Sequence, residues 1–217
     1  MRKFAPQFQG SPWRDGARVI HAYLLPDLTV DQSLAQLVRS CREAMRPYPI
    51  TLLSDELLHT TIEMVADTTA DRMTGDDRDA LAEAMCKHLK GAVPFQVMAG
   101  SPIANKAGAL LDLSPDAPLV DLRSRVREAF REARGTDAVR ERDGGRPHMS
   151  LGYSWDTASS DTLQSALRRI TPSHAPFHVD HVQLFDVQFR ERARHPEAAA
   201  WEISWQPVAT IPLGCST

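Results

Sequence analysis

Two short segments of the chain carry the same order of chemical groups: His59-Thr60-Thr61-Ile62 and His148-Met149-Ser150-Leu151. Each contains a histidine, one spacer, a hydroxyl residue and an aliphatic residue. In an extended strand, alternate side chains point to the same face. His59 then shares a face with Thr61, and His148 shares one with Ser150, while the residues between them point to an opposite, apolar face. Two such strands can bring two imidazoles together across a groove, each with a hydroxyl beside it.

These groups fit the cleavage of a phosphodiester by two proton carriers. Histidine has an unperturbed pKa near ~6.5, so one imidazole can be the base while the other is the acid at the same pH. One histidine would take a proton from water or a ribose hydroxyl, and the other would give one to the leaving oxygen. Thr61 and Ser150 would donate hydrogen bonds to the non-bridging phosphate oxygens, where charge develops. No metal or cofactor is required, and the near-symmetric motifs leave open which histidine is the base.

At these residues the chain resembles the two-histidine (2H) phosphoesterases, which include the bacterial 2′-5′ RNA ligase and cyclic phosphodiesterase proteins. Their signature is a pair of His-x-[Ser/Thr]-aliphatic motifs, one in each half of the chain. The resemblance extends from about Val19 to Trp205. It implies a hydrolase that acts on 2′,3′-cyclic phosphates or 2′-5′ linkages, with two similar lobes around the groove. The alternative is a non-catalytic module that binds RNA ends or nucleotides in the same groove, or a plain interaction protein.

Three further residues are candidates for substrate binding. Members of the family often carry a basic or amide side chain four residues after the first histidine, whereas this chain has Glu63, which we expect to touch a base or a sugar hydroxyl. Tyr23 belongs either to the core or to a surface on which a base stacks. Arg146 precedes Pro147 and is therefore extended, so it could reach into the groove, although a solvated loop arginine is the alternative. Tyr153, at an odd offset from His148, is expected to face the core.

A zinc site is the competing hypothesis for the segment that contains His174, His178 and His181, since imidazole is a common zinc ligand. The spacing argues against it. His178 and His181 are three positions apart, so in a strand they point to opposite faces. The sequence also contains no Gly-rich phosphate loop and no paired Cys-x-x-Cys motifs. We therefore predict no metal.

Composition restricts the partners of the protein. The chain has 217 residues, 42% of them hydrophobic, and a formal net charge of −3. That charge argues against bulk nucleic-acid binding, which normally requires a basic surface, but a small nucleotide or an RNA end remains allowed. Three scattered cysteines suit a reducing cytoplasm. The first residues lack the apolar run that a signal peptide needs, and no stretch has the length of a membrane span, so we expect a cytoplasmic monomer.

The order of apolar and turn residues predicts an α+β protein. Residues 1–17 are rich in Pro and Gly and form an N-terminal arm, and residues 18–217 form a single bilobal domain. Strands are expected at 18–25, 57–65, 95–99, 109–113, 177–189 and 201–211 and at the second motif, with helices from 29 to Pro47, through 81–89 and 119–130, and at 160–170. Strand, helix, motif strand and helix recur in each half. This order predicts two antiparallel sheets, with flanking helices, around a central pseudo-twofold groove.

Overall fold

The two motif strands lie side by side at the centre of one antiparallel sheet in a computed structural model, which describes residues 1–141, 145–195 and 198–214. In chain order the strands are β1 (Gln7–Phe8), β2 (Ser11–Pro12), β3 (Arg18–Leu24), β4 (Ile50–Leu52), β5 (His59–Met64), β6 (Phe95–Asn105), β7 (Gly108–Ser114), β8 (His148–Ser154), β9 (Ala175–Val179), β10 (His181–His195) and β11 (Ala198–Pro212). The helices are α1 (Gln32–Met45), α2 (Gly75–Leu89), α3 (Ala117–Arg134) and α4 (Ser160–Leu167). The predicted α+β class is confirmed.

Nine of these strands form the sheet in the order β11-β10-β3-β5-β8-β7-β6-β9, with β4 paired to β8. The two predicted lobes are the two halves of this sheet. They meet where β5 pairs with β8, through His59 opposite Ser150 and Thr60 opposite Met149. The separate β1–β2 hairpin belongs to the N-terminal arm, for which no strand was expected. The topology therefore brings the two motifs together, although they are far apart in sequence.

Each half of the sheet is covered by a pair of helices on the face opposite the groove. Helices α2 and α3 pack on each other and on β11 and β5, while α1 and α4 pack on each other and on β9 and β6. Thr60, Ile62, Met149 and Leu151 all point into this core and are almost fully buried, as the alternation predicted. The core thus fixes the backbone of both motif strands from behind and leaves their other face for chemistry.

Helix α1 begins later than its sequence signal predicted. Thr29 and Gln32 have the spacing of a capping box, but no such box forms, because Thr29 donates from its backbone and side chain to the carboxylate of Asp27, at 2.9 and 2.6 Å. The helix starts after Asp31. The Asp31 side chain is buried and accepts hydrogen bonds from the backbone and ring of His178. This contact ties the start of α1 to β9.

The strand predicted at 177–189 is two strands that belong to opposite halves of the sheet. β9 pairs with β6 at one edge, and β10 pairs with β3 and β11 in the other half. β10 continues to His195, beyond residue 189, where the predicted strand ended. Arg142 and Gly144, which precede the second motif, and Cys215 lie outside the described residues. Within the described ranges, no helix has the length and apolar character needed to cross a membrane.

Candidate active site

Both motif strands carry a β-bulge three residues after the histidine. On β5 the pairing with β3 passes from Thr61 to Glu63 and leaves Ile62 without a partner, and on β8 the pairing with β7 passes from Ser150 to Gly152 and leaves Leu151 without one. An extra residue of this kind reverses the alternation of faces beyond it. Met64 and Tyr153, five residues after each histidine, therefore return to the face that carries the imidazole.

A groove of about 680 Å³ lies on this face of the sheet. Its described lining includes all four predicted catalytic residues: His59, Thr61, His148 and Ser150. His59 lies directly opposite Ser150 on the neighbouring strand, and the same register leads on towards Thr61 and His148. Each imidazole therefore has the hydroxyl of the other motif across from it as well as its own two residues away. The structure thus brings together the groups that the sequence placed in two separate motifs.

The His59 ring is held in one tautomer. Its Nδ1 donates to the carbonyl oxygen of Leu57 at 2.8 Å, which leaves the Nε2 lone pair free to accept. The hydroxyl of Tyr153 donates to that Nε2 at 3.2 Å. Burial of the ring, with a smaller contribution from the nearby His148, lowers the pKa of His59 to about 4 against the opposing effect of the backbone hydrogen bond. His59 is therefore a neutral imidazole near pH 7, with its basic nitrogen towards the groove.

His148 is anchored by the same device in a wetter environment. Its Nδ1 donates to the carbonyl oxygen of Arg146 at 3.0 Å, again two residues earlier in the chain. The ring is exposed, whereas that of His59 is 2% exposed. Water can solvate a charged imidazole at His148, while burial opposes charge at His59. The two motifs are alike in geometry and differ in solvation.

Each motif hydroxyl has a tyrosine of the groove as a neighbour. Thr61 is opposite Tyr23 in the pairing of β5 with β3, and Ser150 lies on the same strand as Tyr153. Burial raises the pKa of Tyr153 to about 12 and that of Tyr23 well above its usual value. Both phenols therefore remain protonated donors. The prediction that Tyr153 faces the core is wrong, because the bulge at Leu151 turns it into the groove.

Tyr23 belongs to the core, which is one of the two alternatives that the sequence left open, and not to a surface on which a base stacks. It is 1% exposed, and its ring stacks on that of His59 with centroids 4.6 Å apart. Trp205 packs edge-on against both rings, with centroids 5.4 Å from Tyr23 and 5.5 Å from His59. No face of Tyr23 is open to a base. The residue instead fixes the orientation of the His59 ring.

Glu63 and Arg146 do not lie where a substrate contact was expected. The bulge at Ile62 turns Glu63 away from the groove, where its carboxylate accepts a hydrogen bond from Arg127 and lies 3.6 Å from Arg123 of α3. The Arg146 guanidinium lies 3.2 Å from Asp112 and 3.3 Å from Asp116, outside the groove lining. Arg146 contributes its backbone instead, since its carbonyl anchors His148.

The N-terminal arm forms one wall of the groove, which sequence reasoning missed. Phe4 stacks on Tyr153, with ring centroids 4.2 Å apart and planes at 17°. Hydrogen bonds hold the arm in place, including those from Phe4 N to the Ser154 carbonyl and from Arg2 N to the Lys106 carbonyl, both at 2.7 Å. Trp13 closes the far end, 5.2 Å from Phe189. The arm therefore encloses the motif residues from above.

The histidines of the 174–181 segment have separate partners. His174 bonds Ser173, His178 bonds Asp31, and His181 bonds Asp180. Among the residues that the structure describes, no group of three or more His, Cys, Asp or Glu is placed so that it could hold a metal ion.

Comparison with known proteins gives the same fold. Escherichia coli LigT, solved with 3′-AMP, is 13% identical, with 92% of this chain and 99% of that chain covered and a TM-score of 0.58. TT0787 of Thermus thermophilus is 13% identical, with 90% and 97% covered and a TM-score of 0.60. LigT has also been solved with NADP⁺, at 14% identity, 92% and 99% coverage and a TM-score of 0.53. Among curated protein sequences, none is significantly similar to this chain.

The family assignment rests on a match in sequence. The family model of the 2′-5′ RNA ligase superfamily matches residues 30–188, which include both histidine motifs and the β5–β8 junction. The match spans well over half of the chain, and the solved structures that share its fold have the same overall extent. This chain belongs to the 2′-5′ RNA ligase superfamily of two-histidine phosphoesterases.

Proposed function

We propose that the groove cleaves a phosphodiester without a metal ion, in a nucleotide or RNA end that carries a 2′,3′-cyclic phosphate or a 2′-5′ linkage. One observation carries the proposal. Two imidazoles on neighbouring strands are each fixed through Nδ1 to a carbonyl two residues earlier, so that both Nε2 atoms are left for the groove. Two proton carriers with fixed tautomers are what general acid–base catalysis requires.

In the hydrolytic direction, His59 is the base and His148 is the acid. A water molecule gives its proton to Nε2 of His59 as its oxygen bonds to phosphorus. The bond from phosphorus to the leaving oxygen breaks, and Nε2 of protonated His148 gives that oxygen a proton. This assignment, open from the sequence, is supported by the burial that keeps His59 neutral and by the exposure that lets His148 carry charge. In the ligation direction the roles reverse.

The hydroxyls of Thr61 and Ser150 hold the phosphate. Both line the groove, and each is opposite or beside a histidine. As donors to the non-bridging oxygens they would stabilise the charge that grows during attack.

Replacing Tyr153 by phenylalanine is expected to lower kcat/KM about 10-fold, the size of one neutral hydrogen bond. In the free protein the phenol donates to His59, and when the attacking water takes that place the phenol can donate to the phosphate. Phenylalanine keeps the ring that stacks on Phe4 and removes only the hydroxyl. Steady-state kinetics of the variant measure the effect. Unchanged kcat/KM would show that Tyr153 serves packing alone.

The positive charge that a phosphate needs comes from the arm. Among the described residues that line the groove, Arg2 and Lys3 are the only lysine or arginine side chains, and none is an aspartate or glutamate. Lys3 is paired with Glu191 at 2.6 Å, so Arg2 is the better placed to meet an anion. The arm therefore supplies a positive charge that Glu63, at a position where family members often carry a basic or amide side chain, cannot supply.

Arg2→Ala should raise KM and lower kcat/KM about 10-fold at low salt, with a smaller loss at 0.5 M salt, since the interaction is between charges. Arg2→Lys should recover most of the activity. Arg14→Ala is the matched control, because it removes the same charge from the same arm but at a residue that lines a different cavity. Equal losses for Arg2→Ala and Arg14→Ala would mean that only the net charge of the arm matters.

The size of the groove and the solved complexes favour a small nucleotide or an RNA end as substrate. LigT structures contain 3′-AMP, NADP⁺ and ATP, which shows that this fold accepts such molecules in that protein. The alternative is a binding module that grips a phosphate without turnover. The monomeric state and the cytoplasmic location stay predictions.

One assay separates the candidates. The purified protein is offered 2′,3′-cyclic AMP, a 2′-5′ dinucleotide and a 3′-5′ dinucleotide, with EDTA present. Turnover of either of the first two supports the proposal and names the linkage. Saturable binding without turnover supports the binding module, and activity that requires added metal contradicts the metal-independent mechanism.

A further inference from the structure

A third histidine, His21, lines the groove beside the two motif histidines. It lies on β3, opposite Met64 of β5, and is 5% exposed. Neither motif contains it, and the reaction proposed above gives it no task. A polar ring that is almost buried in a substrate groove, yet unused by the chemistry, is a candidate for substrate recognition.

The His21 ring is oriented by the same contact as the other two. Its Nδ1 donates to the carbonyl oxygen of Val19 at 3.1 Å, again two residues earlier. Its Nε2 has no hydrogen-bond partner among the described residues. Desolvation lowers the pKa of His21 to about 4, so the ring is neutral near pH 7. With Nδ1–H committed to Val19, Nε2 can only accept a hydrogen bond.

Aromatic rings fix the position of His21 relative to the reacting centre. Tyr23 lies between His21 and His59, with ring centroids 5.1 Å and 4.6 Å away, respectively. Trp13 of the arm covers the other side of His21 at 6.3 Å. Nε2 of His21 is thus separated from the general base His59 by the ring of Tyr23, and aromatic rings pack on both sides of it.

We propose that His21 is a specificity-determining residue, whose Nε2 accepts a hydrogen bond from a ribose hydroxyl of the nucleotide bound at His59 and His148. The inference rests on the proposed function. An acceptor-only site attracts hydroxyl and amino donors and disfavours phosphate and carbonyl oxygens, so it orients the nucleotide with its phosphate away from His21. A hydroxyl is small enough to reach a ring enclosed by Trp13 and Tyr23, whereas a base amino group would require the whole base to enter edge-on.

In a nucleoside 2′,3′-cyclic phosphate the only ribose hydroxyl is the one at the 5′ position, which makes the test specific. His21→Asn keeps a donor near the Nδ1 position for Val19 and removes the acceptor at the Nε2 position. His21→Gln places an amide oxygen near the Nε2 position and so keeps the acceptor. The two variants differ by one methylene, which decides whether the amide lies near the Nδ1 position, as in Asn, or near the Nε2 position, as in Gln.

The wild type, His21→Asn and His21→Gln are compared on 2′,3′-cyclic AMP and on its 5′-deoxy analogue. We expect the wild type to prefer the hydroxyl substrate about 10-fold in kcat/KM, as one hydrogen bond allows. His21→Asn should lose that preference by losing activity on the hydroxyl substrate alone, and His21→Gln should retain most of it. An equal loss on both substrates would overturn the proposal, because it would mean that His21 only supports Tyr23 and His59. Thermal unfolding of each variant confirms that it is folded.

Failure of the proposed function gives a different result. If the wild type turns over neither substrate, the same comparison is made by calorimetric binding of 3′-AMP and 5′-deoxy-3′-AMP. A preference for 3′-AMP that disappears in His21→Asn supports His21 as a hydroxyl acceptor in a binding module. Equal affinity of the wild type and His21→Asn for 3′-AMP overturns the inference, because a bond from either ribose hydroxyl to His21 would then contribute nothing.

Discussion

Alanine in place of His59 or of His148 is expected to lower kcat on a 2′,3′-cyclic nucleotide by a factor of about 10² to 10⁴, because each variant loses one of the two proton transfers. KM should change little for His59→Ala, since a neutral, buried imidazole contributes little to binding an anion. His148→Ala should also raise KM, because a protonated His148 attracts the phosphate in the ground state. Single-turnover kinetics separate the chemical step from product release.

The kcat of the double variant should be close to that of the less active single variant. The two losses should not multiply, since both histidines act in one concerted event. His88→Ala is the control. His88 lies on the surface of α2, where its Nε2 is 2.8 Å from Glu132, so its loss should leave kcat unchanged. Full activity of either single groove variant would contradict the two-histidine mechanism. Equal inactivation of all three variants would point to a loss of folding.

The four central site residues could be predicted because their chemistry depends only on local geometry. Positions two apart share a face in any strand, so His59 with Thr61 and His148 with Ser150 required no knowledge of the fold. The helices were also predictable, since their buried stripes follow from spacing alone. In α3 the buried residues follow helical spacing through the predicted range 119–130, and the helix ends before Gly135, whose φ is 92°. They are Leu119, Leu122, Val126, Ala129 and Phe130.

The positions of Glu63 and Tyr153 could not be predicted in this way, because they depend on the two bulges. A bulge is set by the pairing of one strand with its neighbour, and that pairing does not appear in the spacing of residues along a single strand. The sequence did contain one indication of the bulge on β8, which is Gly152. A glycine within a strand often marks a bulge, and a Cβ on Gly152 would lie 2.8 Å from the Thr51 carbonyl.

The contributions of the arm and of His21 are also non-local. Residues rich in proline and glycine indicate a loop, but whether a loop covers a groove depends on its contacts with distant residues, such as the bond from Phe4 to Ser154. His21 lies in an apolar strand, where a lone histidine has no second group nearby in sequence to suggest a role. Only the order of strands places it next to His59.

Acidification from pH 7 to pH 5 should destabilise the protein steeply, because His21 and His59 are buried in their neutral form. Burial lowers the pKa of each to about 4 from a usual value of 6.5. Between these values the unfolded chain binds protons that the folded chain does not, so unfolding becomes more favourable as the pH falls. The contribution of each ring is complete above pH 6.5 and is lost progressively towards pH 4. A shift of this size corresponds to about 3 kcal/mol per histidine.

Urea unfolding of the wild type, His21→Asn and His59→Asn at pH 7, 6 and 5 tests this expectation. The free energy of unfolding of the wild type should fall by up to about 3 kcal/mol per pH unit in the steepest region, and each single variant should show about half that slope. The difference in slope between wild type and variant cancels the carboxylates and the other histidines, which titrate in all three proteins. It is also independent of any constant loss of stability from the substitution. Parallel pH profiles would mean that His21 and His59 accept protons in the folded state, and the neutral His59 needed as the base near pH 7 would lose its physical support.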